Sequence, residues 1–153
     1  MNQDILFCTC LECDLERVVH ECRPDRIFLL TDTHTHRHCL PLVQDFACLK
    51  DAVQITIEPT DAHKDLQTLS AVWAALQQGG ATRHSLLLNL GGGMVTDLGG
   101  FAASTFKRGM AFVNIPTTLL SMVDASVGGK TGINFGGLKN EVGVFSPAHS
   151  VLI

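Results

Sequence analysis

Ser85-Leu-Leu-Leu-Asn-Leu-Gly-Gly-Gly-Met-Val-Thr-Asp97 is the stretch that decides the architecture. Ser85–Leu90 is a continuous apolar run, as expected of a strand buried on both faces. A helical pattern begins at Gly93 and runs to Phe106. A buried strand that passes through glycines straight into a helix is a joint of a parallel α/β sheet.

The flanking sequence repeats the alternation. Ile5–Cys8 predicts a short strand, and Leu11–Cys22 a helix through Leu11, Leu15, Val18, Val19 and Cys22. Arg26–Thr31 follows the Pro24 breaker as a strand ending at Asp32, with a helix expected over about 36–45. Val53, Ile55 and Ile57 alternate in a strand that Pro59 stops. Asp65–Gln78 repeats apolar residues at helical spacing and ends at Gly79-Gly80. Ala111–Ile115 predicts a strand, Thr117–Val123 a short helix, and Ser150–Ile153 the start of a further strand. The fold class is therefore α/β: Rossmann-like, with a mostly parallel sheet flanked by helices, in one domain over residues 1–153. In such sheets ligands sit beyond the carboxyl ends of the strands, where Asp32, Gly91–Asp97 and Pro116–Thr118 converge.

Composition narrows the partners. The apolar share is 46% and the charged share 17%, which marks a globular chain, and the net charge of −4 offers no basic stripe for nucleic acid. No apolar run is long enough to cross a bilayer, and Met1-Asn-Gln-Asp-Ile lacks the features of a signal peptide, so the expected compartment is cytoplasmic. All six cysteines fall in the first 48 residues. In a reducing compartment they are expected as free thiols, and Cys8, Cys10 and Cys13 with His34, His36 and His38 match no standard zinc spacing.

Residues 91–140 crowd glycines and hydroxyls around a few isolated charges, a composition suited to wrapping an anion rather than to a packed element. Unshielded amides at the helix N-terminus after Gly91-Gly92-Gly93 favour a phosphate; a tight turn is the competing reading. Thr96 stands where the dinucleotide fingerprint needs its third glycine, and Asn114 near the place of its acid, while Asp32 at another strand end can hold a ribose instead. Gly128-Gly129-Lys130-Thr131 is not a P-loop, because the first glycine of that motif would fall at Asp124. Lys130 can still reach an anion, and Asp124 can accept from substrate hydroxyls or serve as an N-cap or ion-pair member.

From Gly91 to Pro147 the chain carries, in order, three glycines with Asp97 four residues on, Gly100-Phe101, Arg108-Gly109, Pro116-Thr-Thr-Leu-Leu120, Val123-Asp-Ala-Ser-Val-Gly-Gly-Lys-Thr-Gly132, Lys139-Asn140 and Gly143-Val-Phe-Ser-Pro-like spacing ending at Pro147. This series resembles the N-terminal half of the 3-dehydroquinate synthase family, and the likeness extends from Asp32 to the last residue. The resemblance implies an NAD-dependent lyase of the shikimate pathway, serving aromatic amino acid biosynthesis. Such an enzyme closes 3-deoxy-D-arabino-heptulosonate 7-phosphate into 3-dehydroquinate with loss of phosphate. It also implies a divalent metal, zinc or cobalt, whose ligands lie in a helical second half with no counterpart in this chain.

Carried over position by position, the resemblance puts Asp32 near the adenosine end of NAD, and Asp61 and Lys64 where the family has a Glu and a Lys on the cofactor. Gly92, Gly93, Met94 and Asp97 match the pyrophosphate and ribose loop, and Thr117, Thr118 and Leu120 the nicotinamide side. Asp124, Lys130, Lys139 and Asn140 match groups around nicotinamide, substrate hydroxyls and phosphate. Arg108 matches an arginine that reaches the neighbouring subunit's substrate phosphate, so a homodimer is implied. The expectation for these 153 residues alone is a cofactor-binding domain without turnover, with a related sugar-phosphate cyclase or a non-catalytic nucleotide-binding module as alternatives.

Overall fold

The computed structural model describes residues 3–153. Its main sheet has six strands, all parallel: β1 (Asp4–Leu6), β2 (Ile27–Asp32), β3 (Val53–Ile57), β4 (Leu86–Gly91), β5 (Ala111–Pro116) and β8 (Ser150–Leu152), in the order β1-β8-β5-β4-β2-β3. Between them run α1 (Leu11–Cys22), α2 (Thr33–His38), α3 (Leu66–Gln78) and α4 (Gly93–Thr105). An antiparallel hairpin, β6 (Lys130–Phe135) and β7 (Leu138–Phe145), fills the crossover from β5 to β8.

Side-chain alternation builds two cores, one on each face of the sheet. Phe28, Leu30 and Leu87 meet α3 and α4 through Leu69, Val72, Leu98 and Phe101. Leu29, Leu86, Leu88 and Leu90 meet Leu15 and Val18 of α1 on the other face. Six of six residues in β4 are buried, which is why that strand reads as an unbroken apolar run. From β2 the chain winds outward to β3, and from β4 it winds the opposite way to β5. The strand order reverses between β2 and β4, so a crevice opens at their carboxyl ends.

Three local expectations need correction. The helix expected over 36–45 begins at Thr33 instead, because Asp32 accepts from Thr35 N at 2.8 Å and Thr35 Oγ1 accepts from Asp32 N at 3.0 Å, a reciprocal cap. It ends at His38, and a short 3₁₀ turn, Leu40–Leu42, follows with Pro41 in its opening positions. The helix expected over Thr117–Val123 is a single wide π-helical turn at Ser121–Ala125. Residues 130–140, the end of the stretch whose composition suits wrapping an anion rather than a packed element, belong to the β6–β7 hairpin, which runs on to Phe145. A further difference lies in α1, where Cys10 caps the helix, three residues before Cys13. Their Cα atoms are 5.4 Å apart and the two join as a disulfide, leaving Cys8, Cys22, Cys39 and Cys48 as thiols.

Glycines of α4 let it lie against the sheet and the hairpin. A Cβ on Gly100 would stand 2.6 Å from Thr131 Cγ2, and one on Gly99 would run into the Asn89 side chain and come within 2.8 Å of Leu30. Asn89 is fully buried and donates to Asn114 Oδ1 at 2.9 Å. Gly99→Ala is therefore expected to destabilise the domain by about 2 kcal/mol. Overpacking costs roughly 1–3 kcal/mol, and a displaced buried amide adds to that. Together they outweigh the helix-propensity gain of about 1 kcal/mol. Urea unfolding checks this, and an alanine variant as stable as the parent contradicts the close packing.

Candidate active site

The glycine triplet sits at the carboxyl end of β4, beside the point where strand order reverses. None of Gly91, Gly92 and Gly93 has a positive φ, so a tight turn is not what demands them. Space is. A Cβ on Gly91 would lie 2.6 Å from Val95, one on Gly92 3.2 Å from Thr118 Cγ2, and one on Gly93 3.2 Å from Ala125 Cβ. Gly92 caps α4 without a side-chain acceptor, and no carbonyl or side chain among the described residues accepts from the amides of Gly93, Met94 or Val95. Three donors and the positive end of a 13-residue helix thus face the crevice unused, a setting that suits an anion. Met94 itself packs partly against the core.

Next to this helix end lies a polar network. Lys64, almost fully buried, donates from Nζ to Asp97 Oδ2 at 3.0 Å and to Asn140 Oδ1 at 2.6 Å, with Asp61 Oδ1 at 3.4 Å. Lys139 Nζ pairs with Asp61 Oδ2 at 3.0 Å. Burial pushes the Asp97 carboxyl above the ordinary carboxylate range, although Lys64 pulls the other way. The Lys139 ammonium, foremost, holds Asp61 below that range. Asp97 therefore favours folding at acid pH and loses that contribution as pH rises through its raised value, whereas Asp61 contributes above about pH 3.8 and loses it on acidification.

A cleft of about 470 Å³ opens beside the network, lined by Asp97, Asp124, Lys130, Asn140 and Glu141 among others. Asp124 is exposed on the π-helical turn, and its side chain makes no hydrogen bond or ion pair among the described residues, which removes the cap and ion-pair readings. Lys130 is exposed at the start of β6. The cleft thus has both an acid and an ammonium in its lining, neither with an internal partner among the described residues. Among the described residues no His/Cys/Asp/Glu cluster has the makings of a metal site. No helix among them is long and apolar enough to cross a membrane.

A family model described as "3-dehydroquinate synthase N-terminal" matches residues 54–153. The chain belongs to this family. The 3-dehydroquinate synthase of Parabacteroides distasonis is 50% identical over 152 residues, covering 99% of this chain and 43% of its own length. That of Thermococcus kodakarensis is 45% identical over 139 residues, 91% of this chain and 40% of its own. The chain thus spans less than half the length of these 3-dehydroquinate synthases. Among solved structures, 2-epi-5-epi-valiolone synthase from Streptomyces hygroscopicus subsp. jinggangensis, with NAD⁺ and Zn²⁺ bound, superposes with a TM-score of 0.86 at 29% identity, covering 100% of this chain and 43% of that one. A 2-deoxy-scyllo-inosose synthase superposes at 0.88 with 22% identity over 97% of this chain and 41% of that one, a likeness of fold.

Within this member of the 3-dehydroquinate synthase family, most residues singled out in the sequence gather at one edge of the sheet. Asp61, Lys64, Asp97, Lys139 and Asn140 meet in the network, while Asp124 and Lys130 flank the cleft. Thr117 N donates to Gly91 O at 3.0 Å and Thr118 Oγ1 accepts from Ser121 N at 3.2 Å, so both lie against the glycine turn. Leu120 is 68% exposed on the outer side of the π-helical turn. Asp32 stands across the crevice, one carboxylate oxygen engaged in capping α2. Arg108 is the exception. It follows α4 and precedes β5, hence at the amino edge, opposite the cleft, in a turn where Lys107 and Arg108 have φ of 53° and 66°. Arg108 does not enter this chain's own cleft. Sequence reasoning gives Asn134 and Glu141 no role; Asn134 in Ile-Asn-Phe has no local signal for one, since its partners lie 6 and 73 residues away.

Proposed function

We propose that this chain is the NAD-binding N-terminal domain of a 3-dehydroquinate synthase, with the helical, metal-binding part of the enzyme lying in a further domain. The observation that carries the reading is the helix α4 terminus, three free amides and a side-chain-free surface, set directly against a cleft holding Asp124 and Lys130. A dinucleotide pyrophosphate fits there because its charge meets the helix end and its bulk occupies what Cβ atoms would fill. Gly92, Gly93 and Met94 would hold the pyrophosphate, Asp97 and Lys64 a ribose, Asp32 the adenosine side, and Thr117, Thr118 and Leu120 the nicotinamide side. Bound NAD supplies a reversible hydride acceptor for one hydroxyl of the sugar phosphate. A divalent metal, zinc or cobalt, held by groups outside this chain, would supply Lewis acidity.

The protein groups orient and discharge. Asp124 accepts from substrate hydroxyls, fixing which one faces the cofactor. Lys130, exposed and unpaired among glycines, offers its ammonium to the developing negative charge. Lys139 and Asn140 bring a cation and an amide to the same rim. Arg108, turned away from its own cleft, suits a role in the cleft of a second copy, so a homodimer belongs to the proposal. The cytoplasm is the compartment proposed with it. The 50% identity to a 3-dehydroquinate synthase, against 29% to a valiolone synthase, favours heptulosonate phosphate as substrate over that of a related cyclase.

The test is phosphate release from 3-deoxy-D-arabino-heptulosonate 7-phosphate with NAD⁺ and zinc or cobalt. It is measured on this chain and on the chain fused to the second half of the Parabacteroides distasonis relative. The chain by itself is expected to be inert and the fusion active. Lys130→Ala in the fusion is expected to lower kcat/KM by about 10²–10³ with the fold retained, the cost of one charged transition-state contact. Metal-dependent turnover by the 153-residue chain, or near-full activity of Lys130→Ala, contradicts the assignment.

A further inference from the structure

We infer that Asn134 is a positioning residue: it fastens the irregular part of β7 that carries Lys139 and Asn140 to the Asp61–Lys64 turn, and so fixes the groups facing the cleft. The hairpin register shows why a fastener is needed. Ile133 pairs with Val142 but Phe135 pairs with Leu138, so Asn134 alone stands opposite Lys139, Asn140 and Glu141. Such a bulge takes residues out of the ladder and leaves their backbone groups to find other partners. Asn140 has φ of 54° in the left-handed region, a conformation that costs a non-glycine residue and persists only when neighbours over-determine it. The segment it faces is held no better by itself, since Thr60 has φ of 80° just before the turn at Asp61–His63.

Every hydrogen bond of the Asn134 side chain goes to these two segments. Its Oδ1 accepts from Asn140 N at 2.9 Å. Its Nδ2 donates to Asp61 O at 2.9 Å and to Asp61 Oδ2 at 3.3 Å, and its backbone N donates to Lys64 O at 2.7 Å. One half-buried amide therefore joins the segment that presents Asn140 to the segment that presents Lys64, whose side chains themselves meet at 2.6 Å. No aspartate or serine does the same: an aspartate lacks the donor, and a serine lacks the reach to both partners. The predicted role is to set Asn140 and Lys139, not to touch the ligand. The cofactor arm of this inference rests on the NAD-binding reading above; the geometric arm does not.

The test uses this chain in amide hydrogen exchange, thermal melting and NAD⁺ calorimetry. Asn134→Ala is expected to speed exchange at the Asn140 amide by about tenfold and to weaken NAD⁺ by a similar factor, the scale of one or two lost hydrogen bonds. Adding Asn134→Ala to Asn140→Ala is expected to weaken NAD⁺ little further, because one acts through the other. Asn134→Asp keeps the acceptor, so Asn140 should stay protected while the Asp61 turn loosens; this variant carries the test if alanine fails to fold. Unchanged exchange at Asn140 in Asn134→Ala overturns the inference. Faster exchange with unchanged NAD⁺ affinity reduces Asn134 to a structural residue and overturns it equally. If the parent chain binds no NAD⁺, the NAD-binding reading fails and exchange at Asn140 alone decides the role of Asn134.

Discussion

Replacing Gly93 by valine is expected to drive NAD⁺ binding below calorimetric detection while leaving the domain folded. Gly93 is the first residue of α4, with φ outside the left-handed region, so its backbone accepts a side chain. The space beside it does not. A bare Cβ already stands 3.2 Å from Ala125 Cβ, and the two γ-methyls of valine must point into the crevice or push the turn that carries Asp124. In the crevice they cover the free amides of Gly93 and Met94, removing the donors that the pyrophosphate would use. Overpacking of about 1–3 kcal/mol converts to roughly 5–150-fold in affinity before the lost hydrogen bonds are counted. Gly93→Ala should fall between. Equal affinity of parent and Gly93→Val would remove the glycine turn from the cofactor site.

The second large effect is expected at Lys64. Lys64→Met keeps the length and removes the cation from a side chain only 6% exposed, leaving Asp97, at 20% exposure, without its partner. Removing one member of a buried pair costs about 3–5 kcal/mol. Asp97 has an escape, because burial already raises its pKa and it can take up a proton, so the lower figure is the better expectation. For a domain of this size about 3 kcal/mol lowers Tm by roughly 6–12 °C. Lys64→Met combined with Asp97→Asn should recover part of the loss, since the stranded carboxylate is then gone. The loss in Lys64→Met should shrink as pH falls and Asp97 protonates. A pH-independent loss, or none, would show that the ammonium is not what holds this corner together.

Much of the sheet was legible because its strands are buried on both faces or alternate cleanly. Leu86–Gly91 and Ile27–Asp32 have no polar face to blur them. The β6–β7 hairpin was not legible, for a physical reason. Every residue of β7 is exposed, so no apolar period marks it. Gly132, in a stretch whose composition suits a loop, is instead a site of backbone-to-backbone approach, as is Gly143: a Cβ on Gly132 would stand 2.7 Å from Val142 O. The glycine turn after β4 could be read from composition alone, while the choice between tight turn and cradle needed the dihedral angles. Lys64, Asp97 and Asn140 are separated by 33 and 76 residues in the pairs they form, and only the likeness to a known family singled them out before the fold brought them together. The likeness assigns Asn134 no role, and its part is visible only in its hydrogen bonds. A reducing compartment favours free thiols whatever their spacing, whereas Cys10 and Cys13, with Cα atoms 5.4 Å apart at the start of α1, are close enough to join.

The most direct test of the central claim, that α4 and its glycine turn form a dinucleotide site, is an NMR titration of the chain with NAD⁺, following backbone amide resonances. The shifts are expected to saturate together and to centre on Gly92, Gly93, Met94 and Asp97, spreading to Thr117, Thr118 and the Asn134–Asn140 contact. Shifts confined to the opposite edge of the sheet around Arg23, Arg83 and Arg108, or none at saturating NAD⁺, would contradict it.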